Sequence, residues 1–307
     1  MLVAGVGRSG TTWLAEALGR TDGATYVHEP DNHIHMLYAL RAKRGLHALP
    51  WLAAGERAPR EYSRLWEAAF AARRAQPGRR VARAERLLEG ATSEDRNAVV
   101  APGAGAPARV RLAARLVPRP STAPAPTPRF VVVKSVHIPL AVEWVARRFG
   151  AHVLLVRRDP LNIVASWIEM KFDDLMGDVS RRALDHFARR WDVAPLEASA
   201  SWTSQVAWRV GFLSAAVDEV AARNPDWLYV SHEEVCADPV AKLRRAAAHL
   251  GLTWAQAADA FVRESDRHGV GYSLQRVATD QPERWRERLS EEQVREARAV
   301  LERFPLG

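Results

Sequence analysis

The chain has one cysteine, Cys236, among 307 residues. That excludes an intrachain disulfide and any metal site built from several cysteines, and leaves Cys236 to be read as a small buried hydrophobe. No run of about 18 apolar residues occurs, so no segment reads as a membrane-spanning helix and no stable membrane insertion is expected. The chain opens directly on an apolar run, with neither a charged n-region nor a signal-like h-region, and a cytoplasmic location is expected. No internal repeat is found. Arginine far outnumbers lysine and the net charge is +8, yet aromatic residues are not interleaved with the basic ones in any patch. The footprint of nucleic-acid binding is therefore missing, and the positive balance suits an anionic small-molecule partner. His28, Glu29, Asp31, His33 and His35 are metal ligands by type. Their spacing matches neither a helical His-x-x-x-His pair nor a zinc ribbon, and no metal is expected.

What is present begins at the first residues. Leu2-Val3-Ala4 starts a short buried strand, Gly5-Val6-Gly7-Arg8-Ser9-Gly10-Thr11-Thr12-Trp13 follows, and Leu14, Ala17 and Leu18 recur at helical spacing. A glycine-rich loop between a strand and a helix N-terminus turns its amides outward and adds the helix dipole, which predicts a phosphate site. The spacing Gly5-x-x-x-x-Gly10 resembles an ATP-type loop, but Thr11 stands where that loop carries lysine. Arg8 supplies a cation inside the loop instead, with Ser9, Thr11 and Thr12 as hydroxyl donors.

Further strands are predicted at Ala24–Val27, Phe130–Val133, Val153–Val156 and Trp227–Val230, alternating with helical segments. The expected fold is α/β, a single domain over 1–307 with a central parallel sheet of about five strands flanked by helices. Residues 35–50, 60–76 and 180–223 read as helical. Residues 35–128 form an insertion whose last part, from about 90 to 128, is Pro/Ala/Gly-rich and predicts a mobile linker. Pro30 ends the second strand, which sets Glu29 at a strand's carboxyl end, where open parallel sheets bind ligands. Asp159 and Pro160 fix a helix start after the strand at 153–156, and Asn162 and Ser166 share one face of that helix.

Gly-x-x-Arg-Ser-Gly-Thr-Thr-Trp, from Gly5 to Trp13, resembles the 5′-phosphosulfate loop of sulfotransferases that use 3′-phosphoadenosine 5′-phosphosulfate (PAPS). Arg158 with Ser166 eight residues later resembles that family's 3′-phosphate segment. The resemblance also touches Lys134-Ser135-Val136-His137 and, more weakly, Glu233-Glu234-Val235 and Trp285-Arg286. It implies a P-loop-like fold and a PAPS-dependent enzyme releasing 3′-phosphoadenosine 5′-phosphate (PAP). It further implies nucleotide contacts from Gly7, Arg8, Ser9, Gly10, Thr11, Thr12, Trp13, Arg158 and Ser166, with Trp13 stacked on adenine. Lys134 corresponds to the family's lysine at the bridging oxygen.

The acceptor needs a base as the bond to sulfur forms. Glu29 and His137 compete: the resemblance assigns a glutamate after the second strand in some branches and a histidine shortly after the lysine in another. Glu29 is preferred, with burial expected to raise its pKa. The reading is direct in-line transfer of a sulfuryl group to a hydroxyl or amine of a carbohydrate, glycolipid or small metabolite. Two rivals are a P-loop kinase-like enzyme, disfavoured by Thr11, and a catalytically inactive nucleotide-binding module, disfavoured by Glu29, Lys134 and His137 beside both phosphate segments.

Overall fold

The computed structural model describes residues 1–73, 78–121, 128–172, 179–197, 199–269, 275 and 277–307. Strand β1 (Leu2–Gly5) and helix α1 (Thr11–Leu18) lead to β2 (Ala24–His28). An all-helical stretch follows: α2 (Leu37–Ala42), α3 (Arg60–Phe70), α4 (Arg79–Leu87), α5 (Ser93–Val100) and α6 (Ala108–Leu116). The sheet resumes with β3 (Phe130–Ser135), α7 (Val142–Phe149), β4 (Val153–Arg157), α8 (Pro160–Glu169), α9 (Arg181–Trp191), α10 (Trp202–Arg223) and β5 (Leu228–Ser231). Helices α11 (His232–Ala237), α12 (Pro239–His249), α13 (Gln256–Ser265) and α14 (Glu291–Leu301) complete the chain.

The strands pair in parallel in the order β2-β3-β1-β4-β5. The alternation of β side chains divides the core in two. Leu2, Ala4, Val131, Val133, Val153 and Leu155 face a cluster with α3, α7, α8, α10 and α14. Val3, Val132, Leu154 and Val156 face the other way, onto α1 and α12. With both faces covered, the central strands β1, β3 and β4 read as nearly continuous apolar runs, and the edge strands β2 and β5 are half-buried. The chain leaves β1 toward β2 and leaves β4 toward β5, so the order reverses between β1 and β4. A crevice opens there outside the carboxyl ends of the strands.

Several expected helices are shorter than their apolar patterns. The one expected over 35–50 stops at Ala42, and Gly45 (φ 81°) and His47 (φ 65°) then turn the chain through left-handed conformations. The one expected over 180–223 breaks after Trp191, where Asp192 has φ 55°. The stretch expected to be a linker from about 90 holds two helices instead. Thr92 and Asp95 form a reciprocal capping box that starts α5. Val99, Val100, Val110 and Ala113 are buried in the main core, so α5 and α6 gain from tertiary packing what their small side chains lack locally. The remaining Pro/Ala-rich residues 122–127 lie outside the described residues.

Candidate active site

The loop after β1 is shaped by close approaches. A Cβ on Gly5 would stand 2.5 Å from the Val156 carbonyl of β4, and one on Gly10 (φ 90°) would run into the His232 ring. Glycine at both positions lets the loop lie against β4 and α11. Arg8 between them has φ 75°, a left-handed conformation that a non-glycine residue holds only when its surroundings fix it. Helix α1 has no side-chain cap and no acidic residue in its first turn. Its leading amides and the positive end of its dipole therefore face the crevice as an anion site. Ser9 and Thr11 are buried, and Ser9 Oγ has no hydrogen-bond partner among the described residues.

On the β4 side, Asp159 caps α8 by accepting from the Leu161 amide at 2.8 Å, with Pro160 in the first turn. This sets Arg158 just before the helix and Ser166 two turns in, both turned to the loop. Arg158 Nη1 donates to the Arg8 carbonyl at 2.9 Å, and Arg8 Nε donates to Ser166 Oγ at 2.9 Å. Trp167 Nε1 donates to the Gly7 carbonyl at 3.0 Å. Burial lowers the Arg158 guanidinium to about 10, and its Nε has no hydrogen-bond partner among the described residues. Asn162 ties this helix to the C-terminal segment, donating to the Pro282 carbonyl at 2.7 Å and accepting from the Trp285 amide at 3.1 Å. Trp13 is half-buried, and its indole donates to Ser265 Oγ of α13 at 2.7 Å.

On the β2 and β3 side, register places His28 opposite Lys134, and the Glu29 amide donates to the Lys134 carbonyl at 2.8 Å. Lys134 Nζ donates to Glu29 Oε1, Asn32 Nδ2 donates to Glu29 Oε2 at 2.7 Å, and His137 Nε2 lies 3.5 Å from Glu29 Oε2. Burial would raise the Glu29 carboxyl, but His137 and Lys134 beside it outweigh that and hold it well below the usual carboxylate range. This reverses the expected direction, because two basic groups at the carboxylate favour its charge more than desolvation opposes it. Burial lowers the Lys134 ammonium, against the opposing pull of Glu29. Glu29 has φ 38°, so both Arg8 and Glu29 hold left-handed backbone at the mouth of the crevice.

The sulfotransferase family profile matches residues 1–256, most of the chain and every crevice residue described above except Ser265, Pro282 and Trp285. The chain belongs to the sulfotransferase family. By that membership it is a PAPS-dependent sulfotransferase, here built on a five-stranded parallel sheet. No curated protein sequence matches it. The solved structure of retinol dehydratase in complex with androsterone and inactive cofactor PAP is similar at 16% identity. That similarity covers 98% of this chain and 79% of the other, with a TM-score of 0.41.

In the sulfotransferase, Gly7, Arg8, Ser9, Gly10, Thr11, Thr12, Trp13, Arg158 and Ser166 gather around the β1–β4 end of the crevice. Glu29, Lys134 and His137 gather at its β2–β3 end. Among the described residues, no three of His, Cys, Asp or Glu converge as metal ligands would, and no helix is long and apolar enough to cross a membrane. Sequence reasoning missed the support behind Glu29. Asp31 is fully buried; its Oδ1 accepts from Ser135 Oγ at 2.6 Å and its Oδ2 lies 3.9 Å from Lys43 Nζ. Lys43, also fully buried, donates to the Asp31 carbonyl at 3.1 Å and to the Ala48 carbonyl, while Ser135 Oγ accepts from the His137 amide at 3.0 Å. One signal pointed there: the chain holds only four lysines against 40 arginines. Two of those four, Lys43 and Lys134, are buried beside carboxylates.

Proposed function

We propose that the enzyme moves a sulfuryl group from PAPS to a hydroxyl or amine of an acceptor such as a carbohydrate, glycolipid or small metabolite, by direct in-line transfer. The observation that carries this reading is the meeting of both phosphate-type segments in one crevice, where Arg158 reaches the Arg8 carbonyl and Arg8 reaches Ser166. The residues fit the nucleotide. Ser9 Oγ and Arg158 Nε are buried polar atoms without a hydrogen-bond partner among the described residues, and the start of α1 is uncapped.

PAPS supplies the activated sulfuryl group. The loop amides with Arg8, Ser9, Thr11 and Thr12 hold the 5′ end, Arg158 and Ser166 take the 3′-phosphate, and Trp13 packs against the adenine. Lys134 stabilises charge that gathers on the bridging oxygen of the leaving phosphate, an electrostatic contribution strengthened by its burial. Glu29 takes the acceptor's proton as the new bond forms. Its depressed pKa keeps the carboxylate ionised at neutral pH, and a carboxylate with two hydrogen bonds retains lone pairs for a third. His137, 3.5 Å away, steadies that carboxylate.

The test is transfer of labelled sulfuryl from PAPS to an acceptor panel, with Glu29→Gln and His137→Ala alongside the parent. The expected result is a kcat lower by about 100-fold or more in Glu29→Gln, in the range of a lost general base, with PAP affinity unchanged. Near-full turnover in Glu29→Gln together with loss in His137→Ala would move the base to His137.

A further inference from the structure

The helical insertion holds a second feature that the nucleotide crevice does not use. A cleft of about 530 Å³ lies between the loop after β2 and helices α4 and α5, lined by Ile34, His35, Leu37, Leu88 and Arg96, with Glu85, Arg86 and Glu89 also at its wall. Buried His33 links its wall to the proposed transfer centre through two side-chain contacts. Asn97, next to Arg96, accepts through Oδ1 from His33 Nε2 at 2.6 Å, and the His33 ring stands edge-on to the His137 ring at 6.3 Å.

The charged residues of the cleft are not equivalent. Glu85, Arg86 and Glu89 are exposed, and water solvates them. Arg96 alone among them is half-buried. Burial lowers its guanidinium with no carboxylate offsetting the effect, and no carboxylate lies at ion-pair distance from it among the described residues. Arg96 also adds, after burial, Lys43 and His137, to what holds His33 neutral, so its charge is felt at the residue between the cleft and the transfer centre. A cation partly removed from water without a counter-charge is costly unless an anion arrives to meet it. The surroundings favour that anion. Residues 79–119 carry nine arginines against four acidic residues, a net of +5 out of the chain's +8. Such a field concentrates anions near the cleft and speeds their encounter.

We propose that this cleft is the acceptor subsite and that it takes a hydroxyl compound bearing an anionic group, which Arg96 binds while Ile34, Leu37 and Leu88 pack on its apolar face. The proposal rests on the sulfotransferase reading of the adjacent centre. Arg96 is a specificity residue, set apart from the groups that hold PAPS.

The experiment measures binding and turnover separately. With PAP bound, the intact protein is titrated calorimetrically with cellobiouronic acid, a disaccharide phosphate and cellobiose, and the same three are offered as acceptors with PAPS. Expected is binding of the acidic sugars at least about tenfold tighter than cellobiose, the step of one charge-assisted contact. That preference should weaken as salt rises and be lost in Arg96→Ala, with part of it restored in Arg96→Lys. The two acidic arms separate carboxylate from phosphate recognition. Equal binding of acidic and neutral sugars, no binding of either acidic sugar, or an unchanged preference in Arg96→Ala would each overturn the proposal. PAP affinity measured on the same samples isolates the underlying reading: if PAP also fails to bind the parent protein, the sulfotransferase reading falls with it, whereas intact PAP binding confines the failure to the cleft.

Discussion

The two sides of the crevice treat their cations differently. On the β4 side, Arg8 meets the Ser166 hydroxyl, and Arg158 meets the Arg8 and Gln281 carbonyls. On the β2 and β3 side, Lys134 meets the Glu29 carboxylate and Lys43 meets the Asp31 carboxylate. A neutral hydroxyl or carbonyl is readily exchanged for a phosphate, because the phosphate's own charge and paired oxygens add an ion pair and bidentate geometry to the guanidinium that a neutral oxygen cannot give. A buried ion pair resists exchange, because removing one partner strands the other charge, at about 3–5 kcal/mol. On this reading the β4 side is made to receive an anion from solution, and the β2 and β3 side is made to hold one carboxylate still.

The comparison breaks most visibly at Lys43. Lys43→Met leaves Asp31 buried without its cation and is expected to cost about 3–5 kcal/mol in urea unfolding. Adding Asp31→Asn to that variant should recover more than half of the loss, since no buried charge then remains. A loss under about 1 kcal/mol, the scale of an exposed pair, would mean that the Lys43–Asp31 contact does not anchor the loop that carries Glu29.

Acid stability sharpens the same contrast, because buried neutral histidines lie on both sides. Burial first, with Lys43, His137 and Arg96 adding to it, lowers His33 from 6.5 to about 3, and complete burial lowers His232 as well. Both are neutral in the fold, so the unfolded chain binds more protons below pH 6.5. Stability is therefore full above that value and falls as the pH drops toward about 3. Glu29, depressed below its ordinary 4.5, adds a further loss beneath that pH. His33→Gln should flatten part of the decline between 6.5 and 3 while His232 keeps the rest. An unchanged slope would show that His33 is not held neutral.

The smallest expected effect is at Trp13. Ser265→Ala removes the hydroxyl that accepts from the indole. It should cost about 0.5–1.5 kcal/mol of stability, the scale of a single net hydrogen bond, and weaken PAP binding only slightly. A large loss of PAP affinity would mean that this bond sets the ring's position for adenine.

The parts of the molecule legible in the sequence are those written in adjacent residues. Gly5 to Trp13 declares a strand, a phosphate loop and a helix within one turn of chain, and Asp159-Pro160 fixes the start of α8 by local capping alone. The central strands β1, β3 and β4 stand out because both of their faces are buried and their residues are therefore almost continuously apolar, while the half-buried edge strands β2 and β5 carry shorter apolar runs. Helices α5 and α6 were hidden because they rely on Val99, Val110 and the facing helices α2 and α4 more than on their own composition. The Asp31–Ser135 bond joins residues 104 apart, and no local pattern announces it. The direction of the Glu29 shift was equally hidden, since burial alone argues one way and only the arrival of Lys134 and His137 reverses it.

The central claim is most directly tested by calorimetric titration of the protein with PAP, with ATP and magnesium as the comparison, repeated on Arg158→Ala. The account predicts that PAP binds and ATP does not compete. It also predicts that Arg158→Ala weakens PAP by about 10- to 150-fold, the equivalent of about 1.5–3 kcal/mol for hydrogen bonds to a charged group, with the unfolding midpoint little changed. Preferential binding of ATP with magnesium, or PAP affinity unaltered by Arg158→Ala, would contradict it.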